Sequence, residues 1–219
     1  MARLWFVVLA AGLLFPGGCG GEDAAIAIQP APASLAQLTG PWQAQPFALD
    51  PMLRSRIEQA CRSDMERKPG SVAALVDVRG ASVAVVRMVG PSAGMCDSLQ
   101  ISEIGNVIGA GGGWAGGDAE PLPAIDPTRL ADAQYGSIGG GDLKVQGFSV
   151  VGRAGDAIAA VVIEPEGMPP ILATLENGWF AGWWPAIVPP NQVADPALAQ
   201  EAVVRAYDPA GALLDETSP

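Results

Sequence analysis

Gly90-Pro91-Ser92-Ala93-Gly94 has the glycine-x-serine-x-glycine spacing of a nucleophile elbow, which holds a serine on a tight strand-to-helix turn for attack on an acyl carbon. That chemistry also needs a base to take the serine proton, normally a histidine. The 219-residue chain contains no histidine. A Ser92–Lys144 pair is the remaining nucleophile arrangement, Lys68 and Lys144 being the only lysines. The residues on both sides of Ser92 read as strands, where an elbow needs a helix to follow, so a plain loop is the expectation. The lack of histidine also removes His general bases and His metal ligands. Carboxylates remain: Asp118, Glu120, Asp126 and Asp132 lie in one glycine-rich stretch. They could gather calcium, which takes about six to eight oxygens in a rigid frame. Gly139-Gly140-Gly141-Asp142 faintly resembles a calcium-binding glycine repeat, but such repeats bind as arrays and a single copy is close to chance. Gly109-Ala110-Gly111-Gly112-Gly113 lacks the surrounding strand–helix–strand unit of a dinucleotide site. The reading assigns no catalytic residue, metal or cofactor.

The three cysteines carry a different chemistry. Arg3 followed by the apolar run Leu4 to Phe15 reads as an export signal, too short to span a membrane, which takes about 20 residues. Pro16-Gly17-Gly18-Cys19 follows, small residues before a cysteine, as in a bacterial lipobox. Pro16 stands where leucine is usual. Cys19 is therefore the expected lipid attachment point, with ordinary secretion and cleavage near Gly20 or Ala27 as the alternative. In an oxidising compartment the remaining pair, Cys61 and Cys96, reads as a disulfide. The expected location is the outer face of the cytoplasmic membrane, or the medium.

The formal net charge is −11 and there is no basic run, which argues against nucleic acid as a partner. The expected partners are the membrane, through the lipid anchor, and an envelope protein or ligand that the sequence does not name.

Several elements must position these residues. Residues 1–18 form the signal peptide and 19–40 a mobile Ala-, Pro- and Gly-rich tether. Trp42 and Phe47 mark where that tether docks on a single domain, 41–215. Asp50-Pro51 starts a helix, an N-cap acceptor followed by proline at the first helical position. Leu53, Ile57 and Cys61 share one face of it, and Lys68-Pro69-Gly70 ends it. Val72, Ala74, Val76 and Val78 alternate as an apolar strand face, with Asp77 and Arg79 on the other. Further strands are expected at Ser82 to Met88, Met95 to Ile101, Leu143 to Val151, Ile158 to Glu164, Ile171 to Glu176, Trp179 to Trp184, Ala202 to Asp208 and near Leu213. A Gly-rich insertion at about 104–141 separates them, with a helical turn at Asp126 to Gln134. Short strands with turn-like connections imply antiparallel pairing. The expected fold is mainly β, a curled sheet or sandwich with one N-terminal helix packed on it.

The stretch Asn177-Gly178-Trp179-Phe180-Ala181-Gly182-Trp183-Trp184-Pro185 holds three of the six tryptophans. Asn-Gly is a strong hairpin signal, because a type I′ turn needs positive φ at both central residues. Alternation puts Trp179 and Trp183 on one face, expected in the core, and Trp184 on the other. Trp184 joins Trp114 and Tyr135 of the insertion as the candidate binding surface. The whole stretch resembles the C-terminal signature of uncharacterised, exported or membrane-anchored actinobacterial proteins. The similarity covers roughly Val145 to Leu214, including Val203-Val204-Arg205-Ala206-Tyr207-Asp208-Pro209-Ala210-Gly211. It implies a fold and a compartment, and no chemistry. An exported envelope binding or interaction module is the function these features favour. An envelope enzyme using carboxylates or a Ser–Lys pair, or a purely structural envelope protein, is the alternative.

Overall fold

The computed structural model describes residues 41–64, 72–80, 82–89, 92–101, 107–108, 112–115, 122–138, 147–186 and 202–218. The segments expected as signal peptide and tether, Cys19, the expected Lys68-Pro69-Gly70 stop, Lys144 and the second glycine cluster lie outside the described residues.

Helix α1 (Pro51–Asp64) starts where the sequence places it. The Asp50 carboxylate accepts from the backbone N–H groups of Met52 and Leu53 at 2.9 and 3.0 Å, satisfying two donors that the first turn leaves unpaired. Leu53, Ile57 and Cys61 are all buried.

Strands β1 (Val72–Val78), β2 (Ser82–Val89) and β3 (Ser92–Ile101) form an antiparallel meander. Its far edge is completed by β4 (Val107–Ile108) and β5 (Gly112–Ala115), both pairing with β3. The third strand begins at Ser92, not Met95, so part of the Gly-x-Ser-x-Gly stretch is strand. One face of this first sheet packs on α1, through Val76, Val78, Val83, Val85 and Cys96.

The rest of the chain makes β6 (Leu130–Ile138), β7 (Gly147–Ala154), β8 (Ala160–Glu164), β9 (Ile171–Leu172), β10 (Thr174–Glu176), β11 (Trp179–Pro185), β12 (Val203–Tyr207) and β13 (Leu213–Thr217). They form two antiparallel sheets, ordered β10-β11-β7-β6 and β13-β12-β8-β9. Strands β9 and β10 are one run bent at Ala173, whose N–H donates to the Val161 carbonyl at 2.8 Å. The run therefore joins the two sheets into one curled surface. The curl returns β13 to β6: the Asp215 carboxylate accepts from the Leu130 N–H at 2.7 Å and pairs with Arg129 at 3.2 Å. Its interior is filled by Phe148, Val150, Val161, Ile163, Ile171, Phe180, Trp184, Val204 and Ala206.

The strand at Leu130–Ile138 overturns the helical turn expected at Asp126 to Gln134. Asp126-Pro127 is a turn, with Thr128 N–H donating to the Asp126 carboxylate at 2.8 Å. Beyond it the chain pairs along the whole of β7, from Leu130 opposite Ala154 to Ile138 opposite Gly147. A long ladder outweighs the local helical preference of Ala and Gln, because tertiary pairing routinely overrides propensity. A bulge after Ala131 absorbs the mismatch, with Asp132 at φ 53°.

Candidate functional site

Strand β1 carries two charges in an otherwise apolar run, and it is covered on both sides. Alternation turns Val76 and Val78 to the helix, and Leu75, Asp77 and Arg79 to the curled sheet. The sequence reading put Asp77 and Arg79 on a second, polar face. The structure instead seals both at 0% exposure between the two layers. The Arg79 Nε donates to the Asp77 carboxylate at 2.9 Å. Its Nη1 donates to the Ala44 carbonyl at 2.8 Å and its Nη2 to the Leu172 carbonyl at 2.6 Å. The other Asp77 oxygen accepts from the Thr174 hydroxyl at 2.6 Å. One guanidinium thus ties together β1, the bend between β9 and β10, and the chain before α1. The pair is cut off from solvent, so it acts as a fastening and not as a group that meets a substrate.

The segment tied by Arg79 is the docking segment expected from Trp42 and Phe47. Trp42 Nε1 donates to the Trp183 carbonyl at 2.8 Å, and the two indoles meet edge to face at 6.2 Å. Backbone bonds run from Gln43 N–H to Arg79 O (3.2 Å), Phe47 N–H to Val78 O (2.9 Å) and Leu172 N–H to Ala44 O (3.1 Å).

The aromatic hairpin forms as the sequence predicts, with Asn177 at φ 50° and Gly178 at φ 73°. Trp183 is 2% and Trp184 3% exposed, while Trp179 is only half-buried. Trp184 lies against Phe148 at 6.0 Å, inside the curl. It is a core residue and offers no outward platform. Both faces of β11 are covered, one by the interior and the other by β1 and Trp42, which alternation along one strand cannot reveal. Tyr135 sits in β6 opposite Val150, half-buried against the same interior. Its hydroxyl is sealed from solvent without a hydrogen-bond partner, and burial pushes its pKa up. Trp114 lies in β5, paired with Gly94. Tyr135 and Trp184 both pack on the interior of the curl, and the side chain of Trp114 lies outside the described residues.

Cys61 and Cys96 form the disulfide read from the sequence, with Cα atoms 5.8 Å apart. Both are fully buried, joining α1 to β3. Of the candidate acids, Asp118 and Glu120 lie outside the described residues. Asp126 is held by the Thr128 N–H and hydroxyl, which pull its pKa below the usual carboxylate value. Asp132 accepts from Arg153 Nε at 2.6 Å. Arg153 also donates to the Pro123 carbonyl at 2.8 Å. Among the described residues no group of three or more His, Cys, Asp or Glu is placed to hold a metal ion. No helix among them is long and apolar enough to cross a membrane. Compared with known proteins, the chain matches no family model, no curated sequence and no solved structure.

Sequence reasoning missed Arg79 as the central fastening. The available signal was its position two residues after Asp77, at the end of an otherwise apolar strand.

Proposed function

We propose that this chain is an exported β domain of the cell envelope, anchored through a lipid on Cys19, and that it works as a binding or interaction module displayed on a tether. The observation that carries the reading is the Cys61–Cys96 disulfide, sealed between helix and sheet. Persistent disulfides belong to oxidising compartments. The apolar run ending at Gly17-Gly18-Cys19 supplies the matching route. The resemblance of Asn177–Pro185 to exported and membrane-anchored proteins points the same way. A module is favoured over carboxylate chemistry because Asp77, Asp126, Asp132 and Asp215 are each engaged by a neighbouring donor.

The test expresses the chain with its own leader in an actinobacterial host and follows fractionation and intact mass. The expected result is a membrane-bound form carrying added lipid mass. Cys19→Ala should release the protein to the medium or leave the leader unprocessed. A Cys19→Ala variant that stays in the membrane at the mass of the parent protein, less the cysteine side-chain difference, refutes the anchor. Two free thiols at Cys61 and Cys96 in protein taken from the envelope refute the disulfide that carries the reading. A pulldown from native envelope then identifies what is bound.

A further inference from the structure

The segment before α1 lies across the seam between the two cores. Trp42 packs against the interior of the curled sheet, while Phe47 and Leu49 pack against the helix-and-sheet core. It makes no extended ladder. Its described fastenings are three backbone bonds, an isolated β-bridge at Ala48, the Trp42 indole bond and the Arg79 bond to Ala44 O. Each neighbour also has fastenings of its own. Helix α1 is capped by Asp50, and Arg79 keeps Asp77 and the Leu172 carbonyl whether or not Ala44 is present.

Beneath the segment lie the acceptors Val78 O and Arg79 O and the donors Leu172 N–H and Arg79 Nη1. Together with the Trp183 carbonyl they meet one segment, bent at Ala44 and Gln45 and bearing one indole. Trp183 itself is almost fully buried, and its own Nε1 has no partner.

We propose that residues 41–49 are a strap that opens separately from the rest of the fold, uncovering a slot that receives a tryptophan-bearing peptide along the strap's own bent path. The slot's chemistry is defined by what now fills it. Main-chain bonds hold the incoming segment, and an indole N–H reaching the Trp183 carbonyl fixes its position. Local opening of this kind is expected where few contacts hold a segment. The proposal does not depend on the lipid anchor, so the two can fail separately.

Two adjacent amides report on it in the full chain. Leu172 N–H is bonded to the strap, at Ala44 O, whereas Ala173 N–H is bonded within the curled sheet, at Val161 O. In residue-resolved hydrogen exchange, Gln43, Phe47 and Leu172 should exchange together, and faster than Ala173. Trp42→Ala should speed those three by on the order of tenfold or more and leave Ala173 unchanged. A synthetic peptide with the sequence of residues 41–49, added to Trp42→Ala, should slow Leu172 again. The same peptide with its tryptophan replaced by alanine should not. Exchange of Leu172 at the Ala173 rate in the parent protein overturns the separate opening, and that comparison stands even if the variant fails to fold. Failure of the peptide to protect Leu172 overturns the receiving slot.

Discussion

Removing the Arg79 guanidinium leaves the Asp77 carboxylate buried without its cation. Breaking a buried pair from one side costs about 3–5 kcal/mol, so Arg79→Met should lower the urea midpoint steeply. Asp77→Asn keeps a carbonyl oxygen for the Thr174 hydroxyl but leaves Arg79 without a counter-charge, and it should fall in the same range. A change below about 1 kcal/mol for both would show that the pair is as weak as a surface bridge. At β11, Trp183→Ala and Trp184→Ala should each cost about 3–5 kcal/mol, as large buried aromatics do. Half-buried Trp179→Ala should cost less. Equal, small shifts in melting temperature for all three would remove this hairpin from the core. Gly178→Ala should cost about 1 kcal/mol from its positive φ alone, since an added Cβ meets nothing closer than 3.6 Å. Gly182→Ala acts differently, driving a methyl into Ile163 Cδ1 inside the curl. Side-chain type was enough to read the turn at Asn177-Gly178 and the cap at Asp50. It was not enough to read Trp184 or Arg79, whose placement depends on which layers cover a strand.

Helix α1 was legible because three independent signals coincide: the Asp50 cap, Pro51 at the first position, and the spacing of Leu53, Ile57 and Cys61. The disulfide then fixes that helix to β3 across 35 residues. Closing a loop of that length contributes about 3–4 kcal/mol in the chain-entropy model. Cys61→Ala with Cys96→Ala should lose about that much, read from denaturant midpoints, and the parent protein should resist reductant until it unfolds, because both sulfurs are buried. Rapid reduction of the folded protein would contradict that burial. Strand β6 was illegible for the opposite reason. Its residues have no strong preference of their own, and its form is set by β7, a partner that local sequence does not name. The bend at Ala173 is similar: the sequence shows one strand from Ile171 to Glu176, and only pairing shows that it serves two sheets.

The described residues form a helix, a five-stranded sheet and a curled sheet stacked in that order. The mainly β character and the antiparallel pairing followed from turn chemistry along the chain. Their layering did not, because hydrophobic alternation says that a face is covered without saying by what. The sealed Tyr135 hydroxyl gives the assembly an alkaline weakness. Its pKa is raised in the fold, so the folded state holds that proton more tightly than the unfolded chain does. Its contribution to stability is intact below the ordinary tyrosine pKa of about 10 and declines as pH rises beyond it. Tyr135→Phe should flatten that part of the stability profile and cost little at neutral pH, since the hydroxyl has no partner to lose. An unchanged alkaline profile in the variant would assign the loss to other groups.

The contact of Asp215 with Leu130 joins positions 85 residues apart. It therefore bears on time as well as on stability. A closure that distant gains nothing until the strands between its two ends are in register, so it belongs late in folding. Asp215→Ala should accordingly leave the refolding rate nearly unchanged and hasten unfolding, the partition expected of an interaction absent from the transition state. Stopped-flow chevrons would show it, and a slowed folding limb would place the closure early instead. The same carboxylate that shuts the curl would then govern how long the protein stays folded more than how fast it gets there.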